Sequence, residues 1–222
     1  NASPSEIIFT GGGTESINLA IKGLFRKLKK EGKNHIVTTK VEHHAVLHTL
    51  EYLEKEEGAE VTYLDVDKFG MVNVKDVENS IKENTCLVSI MYANNEIGTI
   101  NPIKEMIDHA HKKGVPVLVD GAQATPHIEV NVNELDADFY TFSAHKMYGP
   151  MGIGVLYGKE ELLNSLEPVF FGGGMIKEVT FKDTKYNDLP WKFEAGTMNI
   201  AQAIGLAAAI DYLNNIGMKN IE

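Results

Sequence analysis

Cysteine, arginine and long apolar runs are scarce in this chain, and the scarcities narrow what it can be. A single cysteine, Cys86, among 222 residues excludes an intrachain disulfide and suits a reducing cytoplasm. No apolar run approaches the roughly 18–20 residues that a membrane-spanning helix needs. The opening Asn1-Ala2-Ser3-Pro4 has no basic stretch followed by an apolar one, so no signal peptide is expected. Lys and Arg total 21 against 31 Asp and Glu, a formal net charge of −10. That balance argues against nucleic acid or an anionic membrane as the main partner and still allows a local cationic pocket for a small phosphate. What is present is a 43% hydrophobic chain, long enough to bury a sizeable core. It begins just before Ile7-Ile8-Phe9 and stops just after a long helical pattern, as expected of a piece of a longer protein.

Strand-like and helical patterns alternate without internal repeats or low-complexity linkers. Strands are expected at 7–9, 35–38, 60–64, 86–91, 116–119, 138–142 and 153–157. Several are short, continuous and rich in Val and Ile, as strands covered on both faces are. Helices are expected at 14–30, 44–57, 75–83, 103–113, 159–165 and 201–215, with Gly114-Val115-Pro116 a clear helix stop. The segment 172–195 reads as a long loop or a hairpin. The alternation predicts an α/β fold with a largely parallel sheet. Ligands of such sheets sit at the carboxyl ends of the strands, so the chemistry should follow each apolar run.

Several polar constellations lie there. Thr10-Gly11-Gly12-Gly13-Thr14 joins a strand to a helix; its glycines permit close backbone approach, and the helix start offers free N–H groups. It is a plausible phosphate cradle or a plain glycine turn, and it is neither a dinucleotide fingerprint nor a Walker loop. Val119-Asp120-Gly121-Ala122-Gln123 ends a strand in a carboxylate. Asp120 reads as a helix cap or as the partner of a pyridine nitrogen, with Gln123 placed to donate to a ring oxygen. Ser143-Ala144-His145-Lys146 sets phosphate-type donors beside an amine, which a Schiff-base lysine and a cofactor phosphate require. In Glu42-His43-His44, adjacent imidazoles rarely converge on one ion, so no metal is expected; a single ring stacked on a planar group or relaying a proton fits better. Asn94-Asn95-Glu96 is a polar turn or an amide aimed at a ligand. Phe193-Glu194-Ala195-Gly196-Thr197 reads by spacing only as a loop entering a helix.

Taken in order, Thr-Gly-Gly-Gly-Thr-Glu-Ser, Glu-His-His-Ala-Val, Asn-Asn-Glu-Ile-Gly, Val-Asp-Gly-Ala-Gln, Ser-Ala-His-Lys-Met-Tyr-Gly-Pro and Phe-Glu-Ala-Gly-Thr resemble the class V aminotransferase family of fold-type I pyridoxal 5'-phosphate (PLP) enzymes. The match is closest to cysteine desulfurases and selenocysteine lyases. The resemblance implies a PLP-binding large domain over 1–200, with a mostly parallel seven-stranded sheet flanked by helices. Residues 201–222 would be a helix leading towards a small C-terminal domain that this chain does not contain. It further implies that Lys146 bonds the cofactor and moves the substrate proton, that Asp120 pairs with the ring nitrogen and that Gln123 contacts the ring hydroxyl. His43 would stack on the ring and shuttle protons. Gly13, Thr14, Ser143 and His145 would hold the phosphate, and Asn95 would sit near the ring hydroxyl and substrate carboxylate. Thr197 would reach the phosphate of a neighbouring subunit, making the protein a homodimer. The implied reaction takes sulfur from L-cysteine, leaves L-alanine, and passes a persulfide to a sulfur-acceptor or scaffold protein for iron–sulfur cluster assembly in the cytoplasm.

Two departures qualify that implication. The reaction needs a mobile, accessible thiolate, and Cys86 opens an expected buried strand. Such enzymes usually clamp the substrate carboxylate with an arginine, and the only arginine, Arg26, lies in a basic helix end. The expectation is therefore a chain that binds PLP without completing desulfuration. Selenocysteine lyase or another PLP enzyme of the same fold, and a non-catalytic scaffold, stay open as alternatives.

Overall fold

A computed structural model describes residues 1–221. The central sheet is built from β1 (Ile7–Thr10), β2 (His35–Thr39), β3 (Glu60–Leu64), β4 (Thr85–Met91), β5 (Val117–Asp120), β6 (Phe139–Ser143) and β7 (Gly154–Gly158), in the spatial order β1-β7-β6-β5-β4-β2-β3. The pairs β2–β3, β2–β4, β4–β5 and β5–β6 are parallel, whereas β7 runs antiparallel to both its neighbours, β6 and β1. The expected seven strands are all present, each within a residue or so of its predicted bounds. Every residue of β2, β4, β5 and β7 is buried, which is why these strands read as unbroken apolar runs rather than alternating ones.

Helices cover both faces. α1 (Gly13–Lys29) and α2 (His44–Glu57) enclose one core with Ile8, Leu87, Leu118 and Leu156; Ile17, Ile21, Leu24 and Phe25 of α1 recur at helical spacing on its buried side. α3 (Val74–Ser80) and α4 (Ile103–Lys112) enclose the other core with Val88, Ile90 and Val119. Two shorter elements depart from the sequence expectation: α3 stops at Ser80 rather than running to 83, and α5 (Val132–Leu135), a single turn capped by Asn131, was not expected. The segment 172–195, expected as a long loop or a hairpin, contains a hairpin of β8 (Ile176–Val179) and β9 (Thr184–Tyr186). α6 (Glu160–Ser165) follows β7, and α7 (Ile200–Ile216) buries Leu206, Ala209 and Leu213. Among the described residues, no helix is long and apolar enough to cross a membrane.

One close approach decides the geometry of the glycine loop. A Cβ on Gly154, the first residue of β7, would lie 2.4 Å from the carbonyl carbon of Gly12 and 2.8 Å from the nitrogen of Gly13. Backbone occupies the space that a side chain would need. Gly154→Ala is expected to displace the start of α1 and cost about 1–3 kcal/mol. A chemical-denaturation midpoint indistinguishable from wild type would contradict this.

Candidate active site

The carboxyl ends of β1, β4, β5 and β6 surround a cavity of about 200 Å³. Its lining includes Gly13, Thr14, His43, Asn95, Asp120, Gln123, Ser143, His145 and Lys146. These are nine of the ten residues singled out from the sequence, drawn from five separate stretches of chain. Thr197 is not brought to this cavity; it is exposed on the segment entering α7. Ile17, Met91, Ala93 and Ala122 also line the cavity and were not foreseen. Met91 and Ala122 are apolar residues at strand ends, a position that gives no chemical signal but is where a planar ligand needs contact surface.

Each polar group is set by a specific local device. Lys146 ends the tight turn Ala144–Lys146, closed by Met147 N–H and Gly149 N–H both donating to the Ala144 carbonyl at 2.9 Å. Tyr148 sits there at φ +62°, a left-handed conformation that turns the chain sharply. The amine of Lys146 has no ion-pair partner among the described residues, and its charge acts on Asp120 across the cavity. Asp120 is buried, and its Oδ1 accepts from Ala122 N–H at 2.9 Å. Burial pushes its carboxyl above the ordinary range, opposed by the Ala122 hydrogen bond and by the charges of Lys146 and His43. Oδ2 has no hydrogen-bond partner within the protein among the described residues, so the carboxylate keeps an acceptor for a cationic ring nitrogen.

His43 is the N-cap of α2, its Nδ1 accepting from Ala45 N–H at 3.1 Å. That bond assigns the ring proton to Nε2. Its ring centroid stands 6.3 Å from that of His44, and no group of three or more metal-ligating side chains forms among the described residues. Ser143 Oγ accepts from Gly13 N–H at 2.8 Å, which joins β6 to the start of α1 and leaves the serine hydroxyl proton to donate outward. With the unbonded amides of the first turn of α1, Thr14 and His145, this makes an anion cradle. The two asparagines divide their work. Asn94 is buried and structural, accepting from Glu96 N–H and Ile97 N–H and donating to the Val41 carbonyl, whereas Asn95 lines the cavity.

A cradle of amides and hydroxyls, a free amine, a buried carboxylate and an imidazole on one cavity fit a phosphorylated pyridine aldehyde. The family model for aminotransferase class-V matches residues 1–222. The chain belongs to the class-V aminotransferase family. Members of this family are PLP-dependent, and the donor set above is the one that would hold that cofactor. A probable cysteine desulfurase of Halalkalibacterium halodurans is 50% identical over 221 residues, covering 100% of this chain and 54% of that relative. The structure of the cysteine desulfurase CsdA of Escherichia coli superposes with a TM-score of 0.91 at 36% identity, covering 97% of this chain and 54% of that one. SspA in complex with cysteine superposes with a TM-score of 0.82 at 36% identity, covering 95% and 56%. The class-V chain described here thus spans about half the length of the relatives it matches.

The two expected departures are visible. Cys86 is fully buried near the start of β4, at the opposite end of the strand from the cavity, and burial pushes its thiol up to about 12. Arg26, near the end of α1, makes a forked ion pair with Glu57 of α2, its Nη2 2.6 Å from Oε1. Neither residue faces the site.

Proposed function

We propose that this chain is the cofactor-binding half of a PLP-dependent cysteine desulfurase, which takes sulfur from L-cysteine and leaves L-alanine. The observation that carries the reading is the convergence of Lys146, Asp120 and His43 on one cavity beside an anion cradle. The similarity to cysteine desulfurases and to a cysteine-bound structure supports cysteine over other amino acids. Bound PLP would supply an electron sink for negative charge at the carbon bearing the substrate amino group.

The chain's own groups do the rest. Lys146 would hold the cofactor covalently, and its amine, when released, would move the proton of that carbon. A negatively charged Asp120 would keep the ring nitrogen protonated. His43 would lie against the ring and relay protons. Gly13, Thr14, Ser143 and His145 would anchor the phosphate; Gln123 and Asn95 would meet the ring oxygen and the substrate.

Attack on sulfur requires an accessible thiolate, which Cys86 does not supply. We infer that the thiol and the carboxylate clamp come from sequence outside this chain. Thr197, Ile200 and Ile204, exposed on the segment entering α7 and on its first turns, support a homodimer in which Thr197 serves the partner's cradle. Delivery of persulfide sulfur to an acceptor or scaffold protein for iron–sulfur cluster assembly, in a reducing cytoplasm, completes the proposal.

The test is to load the chain with PLP, add L-cysteine, and record the visible spectrum with the release of sulfide and alanine. A spectral change selective for cysteine, without sulfide, is expected. Unchanged spectra with every amino acid would reject the reading. Cys86→Ala is expected to leave cofactor binding and the spectral response within about twofold of wild type. It should lower stability by about 1–2 kcal/mol through the lost packing. Loss of the cysteine response in that variant would make Cys86 the nucleophile after all.

A further inference from the structure

Glu42 is a carboxyl group that the reading above leaves unused. It lies in the turn between β2 and α2, is 5% exposed, and directly precedes His43. Its Oε1 accepts two hydrogen bonds, from Met91 N–H and from Thr39 Oγ1, both at 2.9 Å. Its Oε2 is buried with no partner at all. Met91 ends β4, pairs in register with Asp120 of β5, and lines the cavity. Asn94 fastens the same turn from the other side by donating to the Val41 carbonyl at 3.2 Å. The turn carrying His43 is therefore tied to the strand end beside Asp120 through one oxygen of Glu42.

The charges around Glu42 decide its state. Asp120 faces it from the end of β5 and disfavours a second anion. The amine of Lys146 acts on Asp120 rather than on Glu42. Lys40, on the same turn, is held by Asp65 at 2.6 Å. No lysine, arginine or histidine forms a salt bridge with Glu42 among the described residues. Burial, then Asp120, raise its carboxyl to about 8 against the pull of Met91 N–H and Thr39. At neutral pH Glu42 is an uncharged acid beside Asp120.

We propose that Glu42 is a positioning residue for the cofactor ring, and that it holds the His43 turn against the Met91–Asp120 strand ends only while it is protonated. The proposal rests on the PLP reading of the cavity. Ionisation would add a second buried charge behind Asp120, with Oε2 still unpartnered, in a place from which a bound ring would exclude water. Affinity for PLP should then be fully present below about pH 8 and fall as Glu42 loses its proton, by up to about tenfold for each pH unit above it.

The experiment is PLP titration of the whole chain from about pH 6 to 9, on wild type, Glu42→Gln and Glu42→Ala, with infrared difference spectra of the carboxyl region in parallel. Three results are expected. Wild type loses about tenfold in affinity between pH 7 and 9 relative to Glu42→Gln. Glu42→Gln, which keeps the acceptor without the charge, binds at neutral pH as wild type does, whereas Glu42→Ala binds at least about tenfold more weakly. A protonated-carboxyl band that titrates near pH 8 in wild type is missing from Glu42→Gln. The same pH dependence in wild type and Glu42→Gln, or no protonated band at neutral pH, overturns the positioning role alone. No PLP binding by wild type across the range overturns the reading of the site and this role together.

Discussion

Lys146→Ala is expected to abolish covalent retention of PLP. Borohydride reduction of the wild-type chain with PLP should place one pyridoxyl group on the peptide carrying Lys146, and reduction of the variant should place none. The amine stands on a tight turn fixed by two hydrogen bonds to Ala144, in a cavity where no other lysine is among the lining residues. A neighbouring lysine therefore has no route to substitute for it. In the desulfurase reaction proposed above, removal of this group should cost the roughly 10²–10⁴-fold typical of a lost proton-transfer group, on top of the lost covalent step. A labelled peptide elsewhere in the chain, at full stoichiometry in the variant, would move the site.

Asp120→Asn is expected to weaken PLP binding by roughly 10–100-fold, the worth of a hydrogen bond to a charged group, while leaving the chain as stable or more stable. The opposite signs share one cause. Burial raises the Asp120 carboxyl above its unfolded value, so the fold favours the protonated form. Stability then falls as pH rises from the ordinary carboxylate range through that raised value, and a neutral amide removes the loss. Affinity moves the other way because only the carboxylate can hold a protonated ring nitrogen. Calorimetry of the free chain over pH, beside PLP titration at neutral pH, checks both halves. A variant that binds PLP as wild type does would dismiss the ring-nitrogen role, and a strongly destabilised one would make Asp120 a structural cap.

Much of the architecture was legible beforehand because doubly covered strands are continuous apolar runs, and Val117-Leu118-Val119 or Cys86-Leu87-Val88 cannot be mistaken for amphipathic helix at that length. The reversal of β7 was not legible. Gly154–Gly158 is as fully buried as the parallel strands of the sheet, and direction is set by how the chain returns after Lys146, not by side-chain pattern. Asn94 and Asn95 could not be separated either, since adjacent amides look alike until one is seen buried under the turn and the other on the cavity wall.

Residue types and their order by themselves determined the α/β class, the strand-end location of the chemistry and, with the family resemblance, nine of the residues that line the cavity. They did so because catalytic groups follow strands at short, readable intervals. Only the tertiary structure decided that these residues share one cavity and that Arg26 is spent on Glu57. It alone singled out Glu42, whose side chain differs from an exposed glutamate in nothing but burial and partners. Those depend on Met91 and Asp120, brought to it from 49 and 78 residues away along the chain. Proximity across strands, and the desolvation that comes with it, is a property of the folded chain and has no signature in local sequence.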